Sequence, residues 1–143
     1  MRRRTKAREI AIQFLYQLDL RGEDAMENLE PFLAQEAKDK DVREFALRLI
    51  HGTRRAQSEN DETMRTAARN WDLKRMATID RNVLRMAIFE FLHCPDIPPK
   101  VTINEAIELG KKFSTANSGA FINGILDRVR LDFSLDAGKT ATV

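Results

Sequence analysis

Residues 79–132 read IDRNVLRMAIFEFLHCPDIPPKVTINEAIELGKKFSTANSGAFINGILDRVRLD, and this stretch decides the fold. Over 79–92, Val83, Leu84, Met86, Ala87, Ile88, Phe89, Phe91 and Leu92 put apolar groups on nearly every side of a helix. Such a helix is enclosed by its neighbours and does not lie on a surface. Asp96-Ile97-Pro98-Pro99 ends it, because proline lacks the N–H donor and drives the preceding residue into extended backbone. Thr102-Ile103-Asn104-Glu105 has the form of a capping box, with Val101 and Ala106 as a weak hydrophobic staple. Ala106, Ile107, Gly110 and Phe113 then share one face of a second helix. After a polar break over 114–119, Phe121, Ile122, Ile125, Leu126 and Val129 mark a third.

Outward from this block, residues 4–20 form a helix with the core stripe Ala7, Ile10, Ala11, Phe14 and Leu18. At about 100° per residue, Tyr16 falls roughly opposite the middle of that stripe, beside Gln13. Arg2, Arg3, Arg4, Lys6 and Arg8 all precede the first acid, Glu9. Cations at a helix N-terminus oppose the macrodipole, so the cluster gains the helix nothing. It reads either as a solubilising tail or as an arginine-rich arm that neutralises RNA phosphates. Tyr16 is correspondingly an ordinary surface residue or a platform for an unpaired base, worth ~1–3 kcal/mol.

Residues 24–37 read as a weaker helix around Met26, Leu29, Phe32 and Leu33, with Pro31 kinking it or setting its start. Val42, Phe45, Ala46, Leu49 and Ile50 open a strong stripe that continues through Thr53, Ala56, Met64 and Ala67, as one long helix or a broken pair. Gly52 weakens it by up to about 1 kcal/mol relative to alanine. Asn70-Trp71-Asp72-Leu73 makes a hinge, with Trp71 as a buried wedge and not a ligand platform. Gly124 sits inside a continuing helical face and is expected to let helices approach closely. The segment 134–143 has no periodicity and is expected to be disordered. The expected fold class is all-α. An N-terminal three-helix group (about 1–70) and a C-terminal helical block (71–133) form two small bundles, packed as one compact domain over 1–133.

A length of 143 residues suits one domain, and an apolar fraction of 43% can fill its interior. Cys94 stands alone, which excludes an internal disulfide framework and fits a reducing compartment. The charged N-terminus has no apolar segment behind it and no run approaches a membrane span, so the expected location is cytoplasmic. The net charge of +2 says little, but a basic head on a nearly neutral body points to a local polyanion site.

His51 and His93 lie far apart without partners at i+4, too few ligands for a metal. Cys94 follows His93, but adjacent helical residues point about 100° apart, and a thiol ending an apolar helix is structural. Glu105 and Glu108 read as a solvated face, with Glu108 to Lys112 as an i,i+4 ion pair. No phosphate loop, nucleophile elbow or dinucleotide fingerprint is present. The expectation is a binding module without cofactor or metal, and not an enzyme.

The strings DIPPKVTINEAIELGKKFSTANSGAFINGILDRV, IDRNVLRMAIFEF and RRRTKAREIAIQFLYQLD closely resemble, in order and spacing, the signature of the NusB family of transcription antitermination factors. The resemblance runs roughly from 2 to 133. It implies two crossed helical bundles without catalytic activity. It also implies pairing with NusE, a small-subunit ribosomal protein, to grip single-stranded boxA RNA in nascent rRNA leader transcripts. With RNA polymerase and other Nus factors, such an assembly passes terminators and assists rRNA maturation. Carried onto this chain, the RNA-binding residues are Arg2, Arg3, Arg4, Lys6, Arg8 and Tyr16, with Phe113, Asn117, Ser118 and Phe121 from the loop before the last helix. Backbone amides opening that helix suit phosphate. Asp80 is the implied contact for NusE.

The loop departs from an acidic version among relatives, since Ala116-Asn117-Ser118 has no carboxylate; this helps RNA binding or leaves it unchanged. Two alternatives stand beside this reading. One is the NusB-like domain of an rRNA cytosine methyltransferase, which needs a downstream cofactor-binding domain where this chain stops at Val143. The other is a protein-only interaction module with an idle arm. The resemblance leaves open a homodimer that covers the arm or a monomer that exposes it.

Overall fold

The computed structural model describes residues 2–69 and 71–135. Helix α1 (Arg3–Arg21) is followed by a 3-10 turn (Glu23–Asn28), α2 (Leu29–Glu36), α3 (Lys40–Arg55) and α4 (Gln57–Ala67). A second 3-10 turn (Leu73–Arg75) leads to α5 (Thr78–His93), α6 (Pro99–Phe113) and α7 (Ser118–Asp132). The fold is all-α, and no strand occurs among the described residues. None of these helices is long and apolar enough to cross a membrane.

Helix α5 is the hub. Its Val83, Leu84 and Ile88 are fully buried, and it packs against α1, α3, α4, α6 and α7. The all-round apolar pattern of its sequence has this cause. One continuous core runs from Ala7 and Phe14 of α1 through α5 to Leu126 and Val129 of α7. Pro31 falls in the first turn of α2, where a missing N–H costs nothing. Asp39 starts α3 by accepting the Asp41 and Val42 amides at 2.8 and 3.2 Å. The long stripe breaks into α3 and α4 at Ala56.

Gly52 has a packing reason beyond helix weakening. A Cβ there would lie 2.0 Å from Phe89 Cζ, so the missing side chain admits that ring between α3 and α5. The close approach expected at Gly124 occurs elsewhere. Nothing lies within 4 Å of a Cβ at Gly124, whereas one at Gly110 would meet Ile122 Cδ1 at 2.5 Å, where α6 crosses α7.

The capping box is also corrected. Helix α6 begins at Pro99, with Pro98 extended at φ −62° and ψ 140° as its N-cap. Proline is preorganised for the first helical position, so Thr102 and Glu105 lie inside the helix and serve other partners. Trp71 is no buried wedge, being 56% exposed. Leu135, assigned by sequence to the disordered tail, is half-buried against the core, and 136–143 lie outside the described residues.

Candidate nucleic-acid interface

The exposed side of α1 carries the arm. At about 100° per residue, Arg2, Lys6, Glu9, Gln13 and Tyr16 fall within a stripe roughly 80° wide and about 21 Å long. Arg2 and Lys6 are exposed and make no ion pair among the described residues. Arg3 reaches Asp41 at 3.0 Å and Asp39 at 3.4 Å. Arg4 lies 3.6 Å from Asp96, and its guanidinium stands 4.3 Å over the Phe45 ring. Arg48 grips Asp96 with two bonds of 2.6 and 3.1 Å and thereby holds its carboxyl well below the ordinary range, at about 2. Exposed pairs of this kind are weak and yield to salt, so Arg3 and Arg4 remain available to a phosphate. Tyr16 and Gln13 are half-buried on the same side.

Arg8 does not belong to the arm. It is 3% exposed, and its Nε and Nη2 donate to the two Glu90 oxygens at 2.9 Å each. Its Nη1 donates to Glu105 at 3.3 Å, the Thr5 hydroxyl to Glu105 at 2.7 Å, and the Thr102 hydroxyl to Glu90 at 2.8 Å. Burial pushes the Arg8 pKa down, but Glu90 and Glu105 outweigh it and hold the guanidinium above its ordinary value. Thr102 and Glu105 therefore tie α6 to α5 and α1 instead of capping α6. A phosphate cannot reach Arg8, whose effect on the arm is to position it.

The C-terminal end of α6, which leads into the loop before α7, reaches α1. Lys112 donates to Glu9 at 3.0 Å, while Lys111 takes Glu108 at 3.5 Å, so the expected Glu108–Lys112 pair is replaced. Phe113 is half-buried, 5.5 Å from Lys112 Nζ. Asn117 is exposed at the head of α7 and makes no side-chain cap bond. Ser118 is 1% exposed, and its hydroxyl accepts the Thr115 amide at 3.2 Å, so it shapes the loop from within. Phe121 is half-buried and meets Trp71 edge-on, with centroids 5.0 Å apart at 70°.

Asp80 occupies the first turn of α5, where the helix dipole favours an anion. It is 7% exposed, and its Oδ1 has no hydrogen-bond partner among the described residues. Close by in sequence, Arg81 and Asn82 both donate to Asp19, at 2.7 and 2.9 Å. Burial pushes the Asp19 carboxyl up, yet these bonds and the Arg81 and Arg85 charges hold it below its ordinary value.

Among the described residues no group of His, Cys, Asp and Glu could hold a metal ion. His93 pairs with Glu59 at 2.5 Å, and Cys94 is fully buried.

Residues 5–130 match the NusB family. The transcription antitermination protein NusB of Desulforapulum autotrophicum is 46% identical, over 95% of this chain and 96% of that protein. That of Anaeromyxobacter dehalogenans is 48% identical over 89% of each. NusB of T. maritima superimposes with a TM-score of 0.81 at 40% identity, over 92% of both chains. An antitermination factor NusB solved with NusE and double-stranded RNA does so at 0.83 and 28% identity, over 92% of this chain and 98% of that one. With this fold, this arm and these relatives, the chain belongs to the NusB family.

Proposed function

We propose that this chain is an RNA-binding transcription antitermination factor. With NusE it takes boxA of nascent rRNA leader transcripts and, with RNA polymerase and the other Nus factors, promotes passage through terminators. Work on nascent transcripts places it in the cytoplasm. The observation that carries this reading is the N-terminal part of α1, where Arg2 and Lys6 make no ion pair among the described residues, Arg3 and Arg4 are weakly held on adjoining faces, and Tyr16 lies further along the Arg2–Lys6 stripe. Cations at that spacing suit a strand backbone, and an accessible ring suits an unstacked base. Phe113 adjoins Lys112, which reaches Glu9 of α1, and Asn117 stands exposed at the head of α7. The relative solved with NusE and RNA supports the choice of partners.

Phosphate contacts alone discriminate little between sequences, and this chain offers few base-reading groups. NusE supplies the rest. Its surface is assigned to the region of Asp80, whose Oδ1 is buried without a donor; a docked donor would relieve that cost. Labelled boxA and a scrambled oligonucleotide are titrated with this chain, with NusE and with both. Binding by the chain alone should be weak, with a modest preference for boxA; NusE should raise affinity and selectivity, and boxA should tighten the protein pair equally. Replacing Arg2, Arg3 and Arg4 by alanine should weaken binding and flatten its salt dependence. Equal affinity and selectivity with and without NusE sinks the cooperative reading, and indifference to the triple change leaves the arm idle.

A further inference from the structure

Trp71 has no role in the interface described so far, yet its indole stands 56% exposed. Its placement is firm. The Trp71 amide donates to the Ala68 carbonyl at 2.6 Å, and Asp72 caps the next turn by accepting the Lys74 amide at 3.0 Å. Leu73 and Met76 beyond it are buried, so residues 71–76 are held in place while the indole is exposed. Phe121 meets the indole in a T-shaped contact, and the 56% of the side chain left exposed can take another flat group.

Residues 69–75 carry three cations against one acid, Asp72. Arg69, Lys74 and Arg75 are exposed and make no ion pair among the described residues. The acid of the segment, Asp72, is engaged in capping. The patch is linked to the arm through the packing of α7 on α6 and of α6 on α1. Phe121 lies one turn beyond Asn117 and Ser118 in α7, and Gly110 packs on Ser118. The end of α6 is joined to α1 through Lys112 and Glu9. An exposed flat aromatic with exposed cations close by in sequence, none in an ion pair among the described residues, matches the stacked bases and phosphates of single-stranded nucleic acid.

We infer that Trp71, with Arg69, Lys74 and Arg75, is a second stacking platform that takes the RNA strand beyond the α6–α7 loop. This rests on the RNA-binding reading and adds a site to it. The strand therefore crosses the molecule from the α1 arm, past Asn117, to the turn before α5.

The chain contains one tryptophan, so its intrinsic emission reports on Trp71 alone. The full chain with NusE is titrated with end-labelled boxA RNA carrying single-stranded flanks, and anisotropy and tryptophan emission are followed together. Emission should be quenched over the same RNA range that saturates anisotropy. Trp71→Ala should weaken binding roughly fivefold or more, while Trp71→Phe keeps most of it. Lys74→Gln with Arg75→Gln should lower the salt slope by about 1.4, the contribution of two phosphates on a single strand. Should Trp71→Ala melt early, the phenylalanine and glutamine variants carry the test. Saturating anisotropy with unchanged emission and unchanged Trp71→Ala affinity overturns the platform and leaves the RNA-binding reading intact. A Trp71→Ala defect confined to NusE binding without RNA makes the patch a protein surface and also overturns it. No RNA binding at all overturns both.

Discussion

Replacing Arg8 by methionine should cost this protein a large share of its stability. The Arg8 and Glu90 side chains are 3% and 2% exposed and share two bonds of 2.9 Å. Losing one partner of a buried pair leaves a carboxylate in low dielectric without its counter-charge, at a cost of about 3–5 kcal/mol. Domains of this size hold about 5–15 kcal/mol in total, and each kcal/mol moves the Tm by about 3 °C. Arg8→Met should therefore lower the Tm by roughly 9–15 °C, with a matching fall in the urea midpoint followed by circular dichroism. Arg8→Met combined with Glu90→Leu removes the central pair and should recover most of the loss, short of the bond that Thr102 gives up and the cation that Glu105 loses. The folded double variant should bind RNA with an unchanged salt slope, because Arg8 touches no phosphate. A single variant losing less than about 1 kcal/mol, or a double variant no better than the single, refutes the buried-pair argument.

Three further outcomes are expected. Phe91 is 2% exposed on α5, so Phe91→Ala should lose about 3–5 kcal/mol in denaturant unfolding; a loss below about 1 kcal/mol contradicts its burial. Gly52→Ala gains up to about 1 kcal/mol in helix propensity but displaces the Phe89 ring at about 1–3 kcal/mol. The net effect should be destabilising, and should reverse sign in a Phe89→Ala background. Asp96 has a folded pKa of about 2 against an ordinary 3.8, chiefly through Arg48. Its stabilisation is therefore complete above about pH 4 and lost as the pH falls towards 2. Asp96→Asn should flatten the acid limb of a stability–pH curve in that window, and an unchanged limb would show that the Arg48 bridge contributes nothing.

Helix α5 was legible in the sequence because a helix buried on all sides has no polar face to hide. The errors share a cause, in that local pattern cannot see tertiary partners. Thr102 and Glu105 have the spacing of a capping box, but their hydrogen bonds go to Glu90, Arg8 and Thr5. Arg8 was grouped with Arg2–Lys6 by adjacency, although helix angle places it with Ile12 and Leu15, both buried. That angle was available from sequence; the carboxylates waiting for it were not. The hinge reading makes Trp71 a buried wedge, but an apolar residue at a turn can lie on either side of it, and this one is exposed. Gly110 and Gly124 are alike as letters, and only the crossing of α6 over α7 distinguishes them.

The clasp at the base of the arm also sets the order in which a newborn chain becomes competent. Arg8 meets Glu90 across 82 residues and Glu105 across 97. Translation at about 5–20 residues per second puts roughly 5–20 s between making Arg8 and making Glu105. Throughout that interval the cations already exist, but nothing fixes α1 against α5 and α6. The first helix synthesised thus waits for residues of α5 and α6 to be clasped, and a nascent chain can attract RNA before it can align a strand along the finished surface.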